Sequence, residues 1–192
     1  MDERKWIERI LAGDTQSFSC LVAKYEKMAY TIALRILENR EEAEEAVQDA
    51  FVKMYRALSD FHFDSKFSTW FYRIVYRTAL TALRQQRMFV SYEEAGPVDL
   101  SNDEVESATA LLEREDRKEM IARTLKKLPA DEALLLTLYY LEECSVEEIC
   151  QITELSASNV KVKLFRGRKR FYEVLQDKMK LETADLDRKS VV

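Results

Sequence analysis

The residues with the clearest chemical role lie between Phe61 and Arg87, in the string FHFDSKFSTWFYRIVYRTALTALRQQR. At about 100° per residue, a helix through this stretch gathers its cations into an arc of roughly 80°. These cations are Lys66, Arg73, Arg77, Arg84 and Arg87, which we call the basic face. No acidic residue lies between the first and the last of them, although the chain has a net charge of -5. A row of cations on one helix face is suited to phosphates, so the pattern predicts a surface for nucleic acid.

The opposite side of this helix is apolar and is predicted to pack on a domain core. It carries Phe67, Phe71, Ile74, Val75 and Ala82. Trp70 lies at the border between the two sides. The basic face has two other interpretations, a solvated surface or a surface for an anionic membrane. The long aromatic side argues against the membrane, because a domain core needs it.

A second cationic helix is predicted near the C-terminus. Ser145 and Glu148 have the spacing of a capping box, which predicts the start of a short helix. The chain then turns at 153–155 and enters a last helix that runs to about Leu175, in the pattern of a helix-turn-helix. Between Ser156 and Arg170 there are six basic residues and no acid.

The predicted helix-turn-helix assigns a role to each polar residue of its second helix. Such a helix places its N-terminal residues against base edges, while later cations meet phosphates. We therefore expect base contacts from Ser158, Asn159 and Lys163. We expect mainly phosphate contacts from Arg166, Arg168, Lys169 and Arg170.

The composition predicts an all-α protein, because 192 residues include only three glycines and two prolines. The stretch Ser91–Thr109 differs from the rest, with the breaker Gly96-Pro97 and six acids but no base. It predicts a flexible acidic linker at 91–110. The linker would join two small helical domains at 1–90 and 111–178, followed by a tail at 179–192.

Other classes of function find little support in the sequence. Cys20, Cys144 and Cys150 lack the spacing of a zinc site, and His62 is the only histidine. There is no glycine-rich phosphate loop. We therefore expect no metal, no cofactor and no enzymatic activity. The first residues carry no apolar signal-peptide core, and no apolar run reaches the ~18 residues of a membrane span. These features predict a cytoplasmic protein without membrane insertion.

Two strings carry a resemblance to a known family. Lys66–Trp70, KFSTW, followed by FYRI, resembles the −10 recognition helix of bacterial sigma factors. The string NVKVKLFRGRKRFYEVL, from Asn159 to Leu175, is similar to the −35-recognition end of the same family. The chain is short and has no extra insertions, and this form is similar to the extracytoplasmic function (ECF) group. The resemblance covers about residues 5 to 175. It implies a transcription initiation factor that binds core RNA polymerase and directs it to −10 and −35 promoter elements.

The resemblance also implies roles for individual residues. An apolar stripe from Ala43 to Leu58 predicts a helix before the basic face. The resemblance implies that a polar patch on the outer face of that helix docks on core RNA polymerase: Glu45, Gln48 and Asp49. The −10 element would be contacted by His62, Phe63, Lys66, Trp70, Arg73, Arg77, Arg84 and Arg87. In the family, the loop at 61–66 helps to capture a base flipped out of the duplex, which requires an aromatic stacking surface. Phe61 and Phe67 are either part of that surface or part of the core.

The resemblance has limits. Glu154 stands near the place where the family often has glycine, and a non-glycine residue at positive φ is disfavoured. Gly167 lies inside a helix, which costs up to ~1 kcal/mol relative to alanine. Family members are often held by an anti-sigma partner, so we expect one here, although no residue identifies it.

Two alternative functions remain open at this stage. One is a stand-alone helix-turn-helix regulator that binds duplex DNA without polymerase. The other is an interaction protein that only sequesters polymerase or another partner. The net charge of -5 favours the sigma factor over a free DNA-binding protein. It predicts weak binding to DNA alone, with core polymerase supplying the affinity.

Overall fold

The structure, a computed structural model, describes the backbone of residues 3–90 and 112–189 and the side chains of residues 3–86 and 119–177. Within these ranges the chain is helical and contains no strand, which confirms the all-α prediction. The helices are α1 Glu3–Leu11, α2 Thr15–Leu37, α3 Arg40–Arg56, α4 Phe67–Val90, α5 Leu112–Lys126, α6 Ala130–Tyr140, α7 Val146–Thr153 and α8 Ala157–Lys189. A 3-10 turn, Leu58–Asp60, follows α3.

The helices form two compact units. The first consists of Met1–Val98 together with Cys144–Ala157, so that it contains α1 to α4 and also α7. The second consists of Asp99–Glu143 together with Ser158–Val192 and contains α5, α6 and almost all of α8. The predicted linker at 91–110 lies entirely outside the described residues. The predicted division into domains therefore stays a prediction.

Aromatic rings hold the first unit together at the junction of α2, α3 and α4. The Tyr25 ring of α2 lies 5.3 Å, 6.0 Å and 5.9 Å from the rings of Phe67, Phe71 and Tyr72 of α4. Phe51 of α3 lies 4.8 Å from Phe71. All five side chains are buried. Burying such rings is the main source of stability at this junction, and it fixes which side of α4 faces outward.

Polar side chains set the helix boundaries in the first unit. The Asp14 carboxylate caps α2 by accepting the Gln16 N–H at 3.0 Å, and Asn39 caps α3 by accepting the Glu42 N–H at 3.1 Å. Between α2 and α3, Glu38 adopts a left-handed conformation with φ 54°. The chain can therefore reverse within two residues.

The second unit is organised by α6. Seven consecutive residues of this helix are buried, from Glu132 to Leu138. Val160 and Leu164 of α8 are buried as well, as their periodicity predicts. The predicted end of the last helix at about Leu175 is wrong, because α8 continues to Lys189. No glycine or proline follows Gly167, so the sequence has no residue that would stop the helix earlier.

Candidate nucleic-acid interface

The outward side of α4 carries the predicted basic face. Lys66, Arg73, Arg77 and Arg84 are exposed, whereas the side chain of Arg87 lies outside the described residues. The opposite side of the helix is packed against α2 and α3. The structure therefore gives α4 the two sides that its sequence predicts, one for the core and one for solvent and ligands.

The aromatic residues before α4 divide into buried and exposed ones. Phe61 and Phe67 are buried, with rings 5.5 Å apart, and the Trp70 ring lies 5.0 Å from that of Phe61. Of the two interpretations of Phe61 and Phe67, the structure thus favours the core. Trp70 is half-buried at the edge of the cluster. His62 is exposed, as expected of a residue that would meet DNA.

Phe63 is the aromatic residue of this loop that remains accessible. Its ring is 37% exposed and its backbone has a left-handed φ of 60°. One neighbour of the ring is Phe61, with centroids 4.7 Å apart, and another is the guanidinium of Arg4, 4.5 Å from the centroid. The cation–π contact helps to hold an unfavourable backbone conformation. Arg4 is not predictable from the sequence as a neighbour of this loop, because it comes from a different helix.

Helix α7 packs on α4 and places two carboxylates beside the basic face. Glu148 Oε1 lies 3.0 Å from Lys66 Nζ. Arg77 Nε donates to Glu154 Oε1 at 2.9 Å, and Arg73 Nη2 lies 3.5 Å from the same oxygen. We call Glu148 and Glu154 the acidic pair. These contacts follow no periodic pattern and join distant parts of the chain, so the sequence does not predict them.

Both members of the acidic pair are ionised at neutral pH. The hydrogen bond from Arg77 lowers the pKa of Glu154 below its usual value of 4.5. For Glu148, burial alone would raise the pKa. The Ser145 N–H and Lys66 both donate hydrogen bonds to it, and the net effect is a lowered pKa. The same Ser145–Glu148 contact completes the capping box of α7, which confirms that prediction.

The residues expected to bind polymerase lie on the outer side of α3. Glu45, Gln48 and Asp49 are exposed. Neither carboxylate of this group pairs with a cation among the side chains that the structure describes. The group therefore offers uncompensated negative charge to a partner.

A cleft of about 420 Å³ lies beside this group, between α3 and α4. Glu45 and Asp49 line it, as do polar side chains of α4. Two hydrogen bonds connect the helices here, from Gln86 Nε2 to Glu42 Oε1 at 2.9 Å and from Lys53 Nζ to Thr78 Oγ1 at 3.2 Å. The charged residues that line the cleft are mainly acidic, with Glu42, Glu45 and Asp49 against one lysine, Lys53.

Six of the seven residues predicted to contact −35 DNA lie exposed on α8, and Lys163 is half-buried. The exposed ones are Ser158, Asn159, Arg166, Arg168, Lys169 and Arg170. The Lys169 ammonium is 3.9 Å from Glu173, one turn further along. Arg166 forms no ion pair with any side chain in the described part of the chain. Arg166 is thus the α8 arginine most readily available to a phosphate.

Three of these seven residues contact side chains of α6. The Lys163 ammonium pairs with the Asp131 carboxylate. Arg168 Nη1 donates to the Tyr140 hydroxyl at 3.5 Å. Arg170 Nη1 lies 3.0 Å from Glu132 Oε1. These cations therefore contribute to the second unit's own structure, a role that the sequence did not reveal.

Gly167 marks the close approach of α6 and α8. A Cβ atom at this position would lie 3.2 Å from Leu136 Cδ1 and 3.3 Å from the Glu132 Cβ. A Cβ would thus be packed more tightly here than in ordinary van der Waals contact, which gives a packing reason for an otherwise costly residue within a helix. The Glu132 side chain beside it is only 7% exposed, and its Oε2 finds no hydrogen-bond partner among the described residues.

Comparisons with known proteins show the family to which the chain belongs. The family model of Sigma-70 region 2 matches residues 21–88, which include α3 and almost all of α4, and that of Sigma-70 region 4 matches residues 118–171. The RNA polymerase sigma-H factor of Pseudomonas aeruginosa is 32% identical over 181 residues, which are 91% of this chain and 94% of the relative. The chain belongs to the sigma-70 family. The ECF RNA polymerase sigma-E factor of Escherichia coli K12 is 31% identical over 169 residues, 84% of this chain and 88% of the relative.

These matches confirm the predicted ECF sigma factor. The protein is a transcription initiation factor and not an enzyme. They favour this function over the stand-alone regulator and over the sequestering protein.

Solved structures share the fold. The sigma factor RpoE, in complex with the anti-sigma factor NepR from Bartonella quintana, has a TM-score of 0.68 at 18% identity. It covers 84% of this chain and 98% of its own. CnrH, in complex with the cytosolic domain of CnrY, has a TM-score of 0.59 at 21% identity, with coverages of 91% and 97%. In the described part of the chain, no helix is long and apolar enough to cross a membrane. No group of three potential metal ligands occurs there either.

Proposed function

We propose that this sigma factor uses three separate surfaces. The outer side of α3 binds core RNA polymerase, the basic face of α4 with its preceding loop reads and opens the −10 element, and α8 reads the −35 element. The observation that carries the proposal is the pair of cationic helices with exposed cations, one within the region 2 match and one within the region 4 match.

The −10 assignment is supported by the combination of cations and an accessible ring. Cations spaced along one side of α4 can follow a phosphate backbone. An unstacked base must recover a few kcal/mol on the protein, and stacking on an aromatic ring supplies ~1–3 kcal/mol. Phe63 offers such a ring, with His62 next to it. A flipped base would compete with Arg4 for contact with this ring.

The −35 assignment is supported by the exposed start of α8. Ser158 and Asn159 are at the end of the helix that a helix-turn-helix presents to base edges. Arg166, two turns further on, is suited to a phosphate because no described side chain pairs with it. Lys163 would have to leave Asp131 in order to reach a base.

The polymerase assignment is supported by uncompensated charge next to a cleft. Glu45 and Asp49 line the cleft between α3 and α4, which is large enough to admit a lysine or arginine side chain. The partner surface should therefore be basic, and its cations should enter the cleft. Complementary charge of this kind raises association rates and fixes orientation.

An anti-sigma partner and a cytoplasmic location also belong to the proposal. One neighbour in fold was solved with an anti-sigma factor, which makes such a partner reasonable for this chain. Core polymerase and promoter DNA are cytoplasmic in bacteria, so the three surfaces are useful only in that compartment.

The experiment is run-off transcription with bacterial core polymerase on a promoter library, with and without the protein. Core-dependent transcripts that share paired −10 and −35 elements are expected. On such a promoter, Arg84→Gln and Arg166→Gln each remove one exposed cation without breaking an ion pair among the described side chains. Each should reduce the slope of log affinity against log salt by about 0.7–0.9. Glu45→Lys should instead weaken binding to core polymerase.

The matched control is Lys27→Gln, which removes an exposed cation of α2 outside all three surfaces and should leave transcription near the parent level. An unchanged salt slope for Arg84→Gln would remove the −10 assignment of α4. If the protein alone binds duplex DNA and no core-dependent transcript forms, the stand-alone regulator becomes the better explanation.

A further inference from the structure

One half of the basic face is occupied by the acidic pair. Lys66, Arg73 and Arg77 each contact Glu148 or Glu154 of the α7 segment. Arg84, about two turns further along α4, contacts no described carboxylate. The first three cations of the surface assigned to −10 DNA are thus already paired with two carboxylates of the protein itself.

The backbone at Glu154 adds an independent observation. This residue ends α7 in the left-handed conformation, with φ 61° and ψ 15°, and its N–H donates to the Cys150 carbonyl oxygen at 2.8 Å. Glycine is the usual residue at such a helix end, because side chains with a Cβ are strained there. A glycine would form the turn more easily but would have no carboxylate for Arg73 and Arg77. Glu154 is therefore both the strained residue at the end of α7 and the ion-pair partner of Arg73 and Arg77.

The chemistry of these contacts is that of phosphate binding. Carboxylates and phosphates are both oxyanions that a guanidinium binds through its N–H groups. Arg77 directs both Nε and Nη2 to Glu154 Oε1. The same donors cannot serve a DNA phosphate at the same time.

We propose that the acidic pair competes with DNA phosphates for the basic face, so that α4 binds promoter DNA fully only after α7 has moved away. The inference rests on the proposed function of α4. The contact is weak enough to be reversible, because the Arg77 and Glu154 side chains are 54% and 50% exposed and exposed ion pairs are screened by salt. Since α7 lies within the region 4 match, the same movement would release the first helix of the helix-turn-helix.

The test uses the full chain and a fluorescein-labelled single-stranded DNA of mixed sequence, about 20 nucleotides long. The variant Glu148→Gln/Glu154→Gln neutralises the acidic pair, and glutamine can keep the capping box of α7. Its DNA affinity, measured by fluorescence anisotropy at low salt, should exceed that of the parent about three- to tenfold.

The matched control is Glu38→Gln/Glu143→Gln. These two glutamates are exposed, have left-handed φ values of 54° and 52°, and pair with no described cation. The control changes net charge equally and should alter affinity by no more than about twofold, because neither carboxylate pairs with a cation of the basic face. A control variant that binds as tightly as the acidic-pair variant would overturn the proposal in favour of a net-charge effect.

Two further measurements separate the inference from the proposed function. In an Arg73→Gln/Arg77→Gln background, neutralising Glu154 should no longer change DNA affinity. Without DNA, the effects of Arg77→Gln and Glu154→Gln on Tm should be non-additive, because the residues interact. Additive effects would overturn the ion pair and leave the DNA role of α4 intact. If the effects on Tm are non-additive but Arg73→Gln/Arg77→Gln leaves the DNA affinity unchanged, α4 is not part of the DNA interface. That result would overturn the competition.

Discussion

Arg170 is expected from the sequence to meet DNA phosphates, yet in the structure it neutralises a buried carboxylate. Its Nη1 lies 3.0 Å from Glu132 Oε1, on α6. We predict that Arg170→Gln destabilises the protein even in the absence of DNA. The physical reason is that glutamine leaves Glu132 charged in a place that water hardly reaches.

The magnitude follows from the exposure of the two partners. Removing one partner of a fully buried ion pair costs about 3–5 kcal/mol, and a hydrogen bond to a charged group contributes about 1.5–3 kcal/mol. The Glu132 side chain is 7% exposed, but that of Arg170 is 50% exposed, so solvent screens part of the attraction. We therefore expect a loss of about 2 kcal/mol in the free energy of unfolding. For a chain of this size, that corresponds to a fall in Tm of about 4–8 °C.

Urea unfolding of the full chain, followed by far-UV circular dichroism, measures this loss. The control is Arg166→Gln, which makes the same charge change one turn away at an exposed residue without an ion pair in the described part of the chain. It should stay within about 0.5 kcal/mol of the parent.

The double variant Arg170→Gln/Glu132→Gln should recover most of the loss, because no buried charge remains. If Arg170→Gln were no more destabilising than Arg166→Gln, the reasoning would be refuted and Arg170 would be a DNA contact alone.

Two further predictions concern packing and pH. Gly167→Ala should destabilise the protein by about 1 kcal/mol. Overpacking costs about 1–3 kcal/mol, which exceeds the ~1 kcal/mol gain in helix propensity. The direction in which the urea midpoint shifts gives the sign of the change in the free energy of unfolding. The acidic pair has pKa values below the usual 4.5. A folded pKa below the unfolded one adds stability that is present above about pH 4.5 and is lost as the pH falls through the folded pKa. The difference in Tm between the parent and Glu154→Gln should therefore be constant between about pH 6 and 8 and disappear in acid. A difference that titrates near neutral pH would contradict this assignment.

The predictable features of this protein are those encoded by neighbouring residues. The two sides of α4 follow from a period of 3.6 residues, and the start of α7 follows from the spacing of Ser145 and Glu148. Both are confirmed. The family follows from strings such as KFSTW, whose residues are adjacent in the chain.

The features that escaped prediction depend on contacts between distant residues. Gly167 is a costly residue within a helix, and the reason for it lies in Leu136 beside it. Glu154 is a poor turn residue, and the reason for it lies in its contacts with Arg73 and Arg77. Phe61 could be assigned to the core only when its neighbours were placed. Sequence periodicity gives the side of a helix on which a residue lies, but not which other element packs there.

The pairing of charges gives a structural reason for the weak free DNA binding that the net charge predicts. In each unit, a helix with cations lies against a helix with acids, α4 against α7 and α8 against α6. Most described cations of the two DNA surfaces therefore already have an oxyanion or hydroxyl partner within the protein. Arg84 and Arg166 are exceptions, and a few phosphate contacts alone give little affinity at physiological salt. Under our proposals, tight promoter binding is expected to require both core polymerase and the replacement of internal carboxylates by phosphates. The net charge alone does not show this requirement. In a more basic protein with the same internal ion pairs, the same cations would already be paired.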